Sequence, residues 1–138
     1  MDLQGVNVQS DLSIQHFVFN SISFERIGFK NDNNELPATF GVRVDKQGEN
    51  HYIVTLDVSV EKKDEFNATV SISGYCEIDD NHPQLDLMLR VNAPAILFPY
   101  ARAQLSLLTA QPETEPIVLP VVNFKKIYEE SRKTSSEN

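Results

Sequence analysis

Alternating apolar and polar positions dominate the first half of the chain, which is the pattern of half-buried β-strands. The predicted strands are Leu12–Phe29, Thr39–Asp45, His51–Lys62 and Phe66–Ile78. The first strand carries apolar residues on both parities, with Phe17 and Phe19 on one and Val18 on the other. We therefore expect both of its faces to be covered. Short polar turns between neighbouring strands predict an antiparallel sheet.

The second half of the chain predicts a helix that is apolar on almost every side. Asn92 is suited to cap its start, Pro94 fits its first turn, and Pro99 either kinks it or marks its true beginning. A helix in a domain of this size normally exposes one face to solvent. We therefore expect this one to contact both its own sheet and a second subunit. The preceding segment, Gln84–Val91, fits a strand or a helix equally well.

A proline-punctuated segment follows the long helix and leads to a short final helix. Pro112, Pro116 and Pro120 indicate a stiff, extended crossover. Asn123 can cap the last helix, in which Phe124, Ile127 and Tyr128 form one apolar stripe; these three are spaced at i, i+3 and i+4. The domain organisation predicted is a flexible N-terminus at 1–10, one domain at 11–132 and a disordered tail at 133–138.

Composition narrows the classes of function. The chain has 138 residues and a net charge of −8, which argues against nucleic-acid binding because phosphate neutralisation needs a basic surface. One cysteine excludes an intrachain disulfide framework and fits a reducing compartment. The first twenty residues lack the features of a signal peptide, and no apolar run is long enough for membrane insertion. We expect a soluble cytoplasmic protein.

The chemistry-bearing residues do not form a recognisable catalytic centre. Cys76, Glu77, Asp79, Asp80 and His82 could suggest a metal site, but this is also ordinary turn composition, and one cysteine lacks partners at the spacing of a zinc finger. The three histidines are scattered, and a Cys76–His dyad stays open as an alternative. We expect no enzyme, metal or cofactor. The alternative from a different class is a cup-shaped protein with one closed small-ligand pocket.

Three motifs resemble the SecB protein-export chaperone family. Asn92 followed by the run Ala95–Arg102 (AILFPYAR) is close to the family signature. The run Pro120–Phe124 (PVVNF) is similar to the element before its last helix, and Ile14-Gln15 with the run Ile22–Glu25 (ISFE) is similar to its first strand. The resemblance covers residues 12–130, with its clearest motifs at both ends.

The resemblance implies an α+β fold: a four-stranded antiparallel sheet, a long helix packed on it and a short C-terminal helix. It also implies a homotetramer built as a dimer of dimers through the long helices. Members hold unfolded preproteins without ATP and deliver them to the SecA motor. Some SecB-like chaperones instead protect an antitoxin, which would make the partner an antitoxin here.

A holdase needs exposed apolar side chains along a groove and free strand edges, not a catalytic residue. The candidate client-binding residues are Phe17, Phe19, Phe40, Val42, Val44, Ile117, Val118, Leu119 and Tyr128. The candidate subunit-contact residues are Leu105, Leu107 and Leu108. Glu25 matches an acid of the family's SecA-binding face, but Ser21 and Thr69 stand where other members carry acids.

Overall fold

Four strands precede four helical segments in the described part of the chain. The computed structural model describes residues 11–136. The elements are β1 Ser13–Arg26, β2 Ala38–Gly48, β3 His51–Lys62, β4 Phe66–Glu77, α1 Leu85–Leu87, a π-helical turn Met88–Asn92, α2 Ala93–Thr109 and α3 Phe124–Ser136. The predicted fold class is confirmed. Helix α3 extends past the predicted start of the tail at 133, whereas the predicted flexible segment 1–10 lies outside the described residues.

The sheet order is β1-β4-β3-β2, and every neighbouring pair is antiparallel. Strands β2 to β4 form a meander, but β1 pairs with β4, so β1 and β2 are the two edges. One face of the sheet packs on α2, and we call the opposite side the open face.

Two register shifts explain why β1 is apolar on both parities. They lie between Ile14 and His16 and between Phe19 and Ser21. Each irregularity switches the parity of the side chains that follow, as β-bulges do. As a result, Ile14, Phe17, Phe19, Ile22 and Phe24 all lie opposite residues of β4 that face α2. Only one face of β1 is therefore mainly apolar, which corrects the expectation that both faces are covered.

Helix α2 packs on the sheet through residues spaced four apart. Ala93, Leu97, Ala101, Leu105 and Thr109 are all fully buried. The close approach depends on a glycine of β4, because a Cβ at Gly74 would lie 3.2 Å from Leu97 Cδ2. Rows of fully buried side chains from β3 and β4 complete the core, which consists mainly of Val54, Leu56, Val58, Val60, Phe66, Val70 and Ile72.

The helical region begins earlier than the cap pattern predicts. Asn92 has helical dihedral angles, φ −69° and ψ −45°, and its side chain makes no cap hydrogen bond. Leu85 and Leu89 are spaced four apart and pack on the core, so the ambiguous segment before Asn92 is helical. Pro99 lies inside α2 and does not end it.

The crossover after α2 is extended and tied to the end of that helix. Ser106 Oγ donates to the Ile117 carbonyl at 2.5 Å, and the Ile117 N–H donates to Thr109 Oγ1 at 2.8 Å. At the far end, Asn123 Oδ1 accepts the Lys126 N–H at 3.0 Å and caps α3 as expected. These bonds fix where the crossover runs.

Candidate functional site

The β2 row, which we define as Phe40, Val42 and Val44, is a line of half-buried apolar side chains at one edge of the sheet. These residues lie opposite the buried Val58, Leu56 and Val54 of β3, so they face the helix side. Because β2 is an edge strand, the row lies beside main-chain groups that no strand within residues 11–136 pairs. This edge combines apolar surface with backbone hydrogen-bonding capacity.

The crossover alternates between buried and exposed apolar residues. Ile117 and Leu119 are buried, whereas Val118 is 68% exposed and Val121 is 86% exposed. A cleft of ≈ 220 Å³ separates this stretch from the loop before β2. It is lined by Asn33, Asn34, Glu35, Leu36, Lys62, Phe66, Glu115, Pro116, Ile117 and Val118. The exposed valines give the crossover an apolar surface.

An aromatic cluster, Phe40, Phe98 and Phe124, joins β2, α2 and α3. The ring centroids are 6.0 Å apart for Phe40–Phe98, 6.3 Å for Phe40–Phe124 and 5.7 Å for Phe98–Phe124. All three pairs meet edge to face, an arrangement that aromatic quadrupoles favour. The cluster lies at one end of the β2 row, since Phe40 belongs to both.

The Asp86 network, which consists of Asp86, Arg90, Tyr128 and Arg132, connects α3 to the start of the helical region. Asp86 accepts hydrogen bonds from Tyr128 Oη at 2.7 Å, Arg132 Nη1 at 2.9 Å and Arg90 Nε at 2.9 Å. Burial raises the pKa of the Asp86 carboxyl, but these donors outweigh it and the pKa is lowered. The predicted client-contact residue Tyr128 is thus half-buried and engaged in this network.

The structure separates the predicted groove residues into two regions. Phe17 and Phe19 lie on β1, at the opposite edge of the sheet from the β2 row. The Phe17 ring contacts Tyr100 of α2 in a tilted arrangement with 4.2 Å between centroids, and Phe19 is half-buried. Helix α2 lies between the two regions, so these side chains do not continue the β2 row.

The predicted subunit-contact residues also differ in position. Leu105 is 0% exposed on the sheet-facing stripe of α2, so the structure places it in the core of its own subunit. Leu107 is 68% exposed and Leu108 is half-buried. Ile96, Tyr100 and Leu107 form an exposed outer stripe along α2, which leaves the helix with a second apolar side as the pattern predicted.

The open face of the sheet is polar. Asn20 Nδ2 donates to Ser73 Oγ at 2.7 Å, Ser73 and Thr55 are hydrogen-bonded at 2.7 Å, and Arg43 pairs with Asp57 at 2.9 Å. Burial raises the pKa of the Asp57 carboxyl. Hydrogen bonds from Arg43 and Ser71 lower this pKa by more, so the net shift is downward. These bonds link all four strands across a surface with few apolar groups.

Glu25 is exposed on the open face and lies opposite Asn67. Ser21 pairs with Ser71 in the same register, and Thr69 pairs with Ser23. Hydroxyl groups therefore occupy the two positions at which the family resemblance led us to expect acids. The acidic character of this part of the open face depends mainly on Glu25 and on Glu61, which also lies opposite Asn67.

The candidate metal and nucleophile residues are engaged in structural contacts. Asp80 accepts hydrogen bonds from Tyr52 Oη at 2.5 Å and pairs with Lys46 at 3.1 Å, while His82 pairs with Asp11 at 3.0 Å. Desolvation raises the pKa of the buried Cys76 thiol to about 11, so it is not a thiolate at neutral pH. Within residues 11–136, no three His, Cys, Asp or Glu side chains are placed to hold a metal ion.

Sequence reasoning missed Phe98, Phe124 and Asp86 as parts of the site. In the sequence, Phe98 is only one apolar position of the long helix, and Phe124 is only part of a stripe. The i, i+4 spacing of Asp86 and Arg90 is visible in the sequence. The contact between Asp86 and α3 has no sequence signal, because it spans more than forty residues.

Comparisons with known proteins agree with this geometry. Residues 6–135 match the family model described as "Preprotein translocase subunit SecB". The protein-export protein SecB of Azoarcus sp. (strain BH72) is 28% identical over 137 residues, which covers 91% of each chain. The protein-export protein SecB of Psychrobacter arcticus is 29% identical over 133 residues, which covers 90% of each chain.

The fold is also found among solved structures, of which one is the Mycobacterium tuberculosis SecB-like chaperone in complex with a peptide from an antitoxin, with a TM-score of 0.67 and 15% identity. The match covers 80% of this chain and 90% of that one. At this identity the likeness concerns the fold alone. A separate observation is that, in the described part of the chain, no helix is long and apolar enough to cross a membrane.

Proposed function

The chain belongs to the SecB family, and from that premise we propose that it is an ATP-independent holdase. It binds non-native polypeptides in the cytoplasm and keeps them competent for export. Proteins of this family are chaperones rather than enzymes, which supports a role without catalysis. The proposed clients are unfolded preproteins.

The β2 row is the observation that carries this proposal. Its three side chains are half-buried on an edge strand, so an extended client could both pair with the strand and place alternate side chains on the row. The exposed Val118 and Val121 of the crossover supply further apolar surface. Many modest contacts of this kind suit a chaperone, because they hold a client without requiring a fixed client sequence.

Net charge supports the same role. A chaperone with exposed apolar surface must remain soluble when it carries an aggregation-prone client. A net charge of −8 opposes self-association through repulsion between copies.

A homotetramer is the proposed assembly. The outer stripe of α2, with Leu107 at 68% exposure, is apolar surface of the kind that another subunit covers. The β1 edge offers unpaired main-chain groups for a neighbouring chain. Leu105 takes no part in this contact, since it is buried in its own subunit.

Two partners are proposed for the step after client capture. Delivery to SecA would use the open face around Glu25. The hydroxyls of Ser21 and Thr69 at positions occupied by acids elsewhere favour, as a second candidate, a SecB-like chaperone that protects an antitoxin. The structural relative from M. tuberculosis was solved with an antitoxin peptide, which supports keeping this candidate.

A small-ligand cup fits the packing less well. Such a cup needs free space between the sheet and the helix across it. That space is filled here by Leu97, Ala101 and Leu105, all of them 0% exposed, against the valines of β3. The large clefts among the described residues open at the surface instead, with volumes of ≈ 220 to ≈ 400 Å³.

A pair of aspartate substitutions tests the client surface. Val118→Asp and Val42→Asp should each weaken the binding of an unfolded client about ten-fold, because a carboxylate opposes desolvation of the groove. Val18→Asp, at a half-exposed position on the open face, is the matched control and should bind as wild type does. Binding is measured by fluorescence anisotropy, and thermal melts confirm that each variant is folded. Equal weakening by all three variants would contradict the proposed location.

A further inference from the structure

Gly41 is a glycine in the middle of β2, between Phe40 and Val42 of the β2 row. A glycine inside a strand weakens it, and it usually marks a bulge, a tight bend or a place where a ligand or another backbone approaches closely. The strand is regular here, because β2 pairs with β3 residue for residue from Ala38 to Lys46. Neither a bulge nor a bend therefore explains Gly41.

The backbone and the surroundings of Gly41 also leave room for a side chain. Its φ lies outside the left-handed range in which other residues are strained. A Cβ at this position would meet the Asp57 Cβ at 3.9 Å, which is an ordinary van der Waals distance. Because β-branched residues are favoured in strands, a threonine would suit this position better than the glycine does. Of the usual reasons for a strand glycine, the close approach of another molecule is the one that remains.

A cleft of ≈ 290 Å³ lies on the open face beside Gly41. Residues of all four strands line it, and most of those on this face are serine or threonine. Gly41, Asp57, Ser71 and Ser21 lie side by side in one row across the strands. Since Gly41 ends this row without a side chain, the cleft reaches the β2 edge of the sheet.

Pairing of a client with β2 would bring one of its side chains to this cleft. No strand within residues 11–136 pairs with the outer side of β2. Side chains of an added strand alternate between the two faces of the sheet, and directly opposite residues share a face. Client residues opposite Phe40 and Val42 would therefore lie on the β2 row. The client residue between them would lie on the open face, directly across from Gly41.

The chemistry of the cleft favours an aromatic client residue at this position. An aromatic side chain across from an edge glycine covers the bare backbone and restores the missing packing. Tyrosine and tryptophan combine a broad ring with one polar atom, which suits a cleft lined by serine and threonine. A cationic side chain is not favoured, because Asp57 is already paired with Arg43 through contacts of 2.9 Å and 3.3 Å.

We propose that Gly41 and the open-face cleft beside it form a subsite for a tyrosine or tryptophan of an extended client paired with β2. This inference rests on the proposed holdase function and adds a preference among clients. Segments with alternating apolar residues bind more tightly when an aromatic residue lies on the opposite parity. Gly41 is then a specificity-determining residue that contacts the client on the face opposite the β2 row.

Two labelled peptides and the variant Gly41→Thr test the subsite. One peptide alternates valine and serine, and in the other a tryptophan replaces the central serine. Wild type should bind the tryptophan peptide about five-fold tighter, as cross-strand aromatic pairs allow. Gly41→Thr should bind both peptides equally, because the threonine side chain fills the space that the indole ring would occupy. Fluorescence anisotropy measures both affinities.

Stability supplies a second readout of the same variant. The urea midpoint of Gly41→Thr should rise, since threonine is favoured over glycine in a strand. A structural role for the glycine predicts a lower midpoint, and that result would overturn the proposal. Gly48→Thr makes the same change in β2 outside this cleft and should keep the preference for the tryptophan peptide.

The remaining outcomes separate this subsite from the holdase function. Equal binding of the two peptides by wild type, or a preference that persists in Gly41→Thr or is also lost in Gly48→Thr, would overturn the subsite alone. Reduced and carboxymethylated α-lactalbumin is the reference client. Wild type that binds it but neither peptide would also overturn the subsite, whereas wild type that binds none of the three would overturn the holdase proposal as well.

Discussion

At the scale of single residues, the carboxylate of Glu65 ties the turn between β3 and β4 to the loop after β1. Its Oε1 accepts the Asn31 N–H at 2.8 Å and pairs with Lys62 Nζ at 3.0 Å. The carbonyl of the same residue accepts the N–H groups of Ile27 and Gly28. Desolvation raises the pKa of this fully buried carboxyl. The hydrogen bonds from Asn31 and Lys62 lower it by more, so the pKa lies below the usual 4.5.

Glu65→Gln should therefore destabilise the protein in a pH-dependent way. A carboxyl with a lowered folded pKa stabilises the fold above its unfolded pKa, and this stabilisation is lost as the pH falls through the folded pKa. We expect the variant to lose about 3 kcal/mol at neutral pH, because Lys62 is left without its buried partner. The difference from wild type should shrink below pH 4.5. Urea unfolding at about pH 7 and pH 3 measures this, and an equal difference at both would contradict it.

Gly28 is required where the loop after β1 passes the β3–β4 turn. A Cβ at this position would overlap the backbone carbonyl oxygen of Asp64. Gly28→Ala should therefore cost about 1–3 kcal/mol of unfolding free energy through strain. Gly48→Ala is the matched control, because a Cβ there meets nothing within 4 Å, and it should stay within about 0.5 kcal/mol of wild type. Equal losses in the two variants would show that the overlap is relieved without strain.

At the scale of elements, Thr109 joins the end of α2 to the crossover. Its buried hydroxyl donates to the Leu105 carbonyl at 2.8 Å and accepts the Ile117 N–H at 2.8 Å. Thr109→Val keeps the side-chain shape but leaves that N–H unpaired, so we expect a loss of about 2 kcal/mol. The amide of Ile117 should exchange faster. Thr39→Val, on the exposed open face, is the control and should change neither the unfolding free energy nor the exchange rate of the Ile117 amide. Continued protection of the Ile117 amide in Thr109→Val would contradict this account.

The elements were predictable where one periodicity held throughout. The bounds of β3 match the prediction residue for residue, because its alternation is unbroken. In β1, two register shifts change which parity faces α2. Alternation in the sequence does not show these shifts, so β1 was predicted to have two apolar faces. The segment before Asn92 alternates like a strand, yet Leu85 and Leu89 pack on the core as a helical pair.

At the scale of the whole molecule, the order of the strands decides which predicted site residues meet. Alternation predicted the β2 row, and the structure places it on the helix side. Of the three predicted crossover residues, Val118 is exposed, whereas Ile117 and Leu119 are buried. Phe17 and Phe19 lie at the other edge because β1 pairs with β4. This pairing joins segments about fifty residues apart, and local periodicity carries no information about it. The aromatic cluster could not be predicted either, because its three residues are also far apart in the sequence.

The outer stripe of α2 carries a prediction about assembly. Leu107→Asp should convert the proposed tetramer into dimers or smaller species, because it would place a carboxylate in the proposed apolar subunit contact. Sedimentation velocity measures the change. Val118→Asp is the matched control, since Val118 is 68% exposed like Leu107 but lies on the crossover, and it should leave the assembly intact. If Leu107→Asp still forms a tetramer, Leu107 is not part of the subunit contact.

Aggregation of an unfolded client is the most direct test of the central claim, that this SecB-family chain holds non-native polypeptides without ATP. The purified protein is added, in the absence of nucleotide, to an aggregation-prone preprotein diluted from denaturant, and light scattering is followed. Suppression at about one tetramer for each client is the predicted result, and Val118→Asp should suppress less than Val18→Asp. Undiminished scattering, with the assembly intact, would contradict the claim.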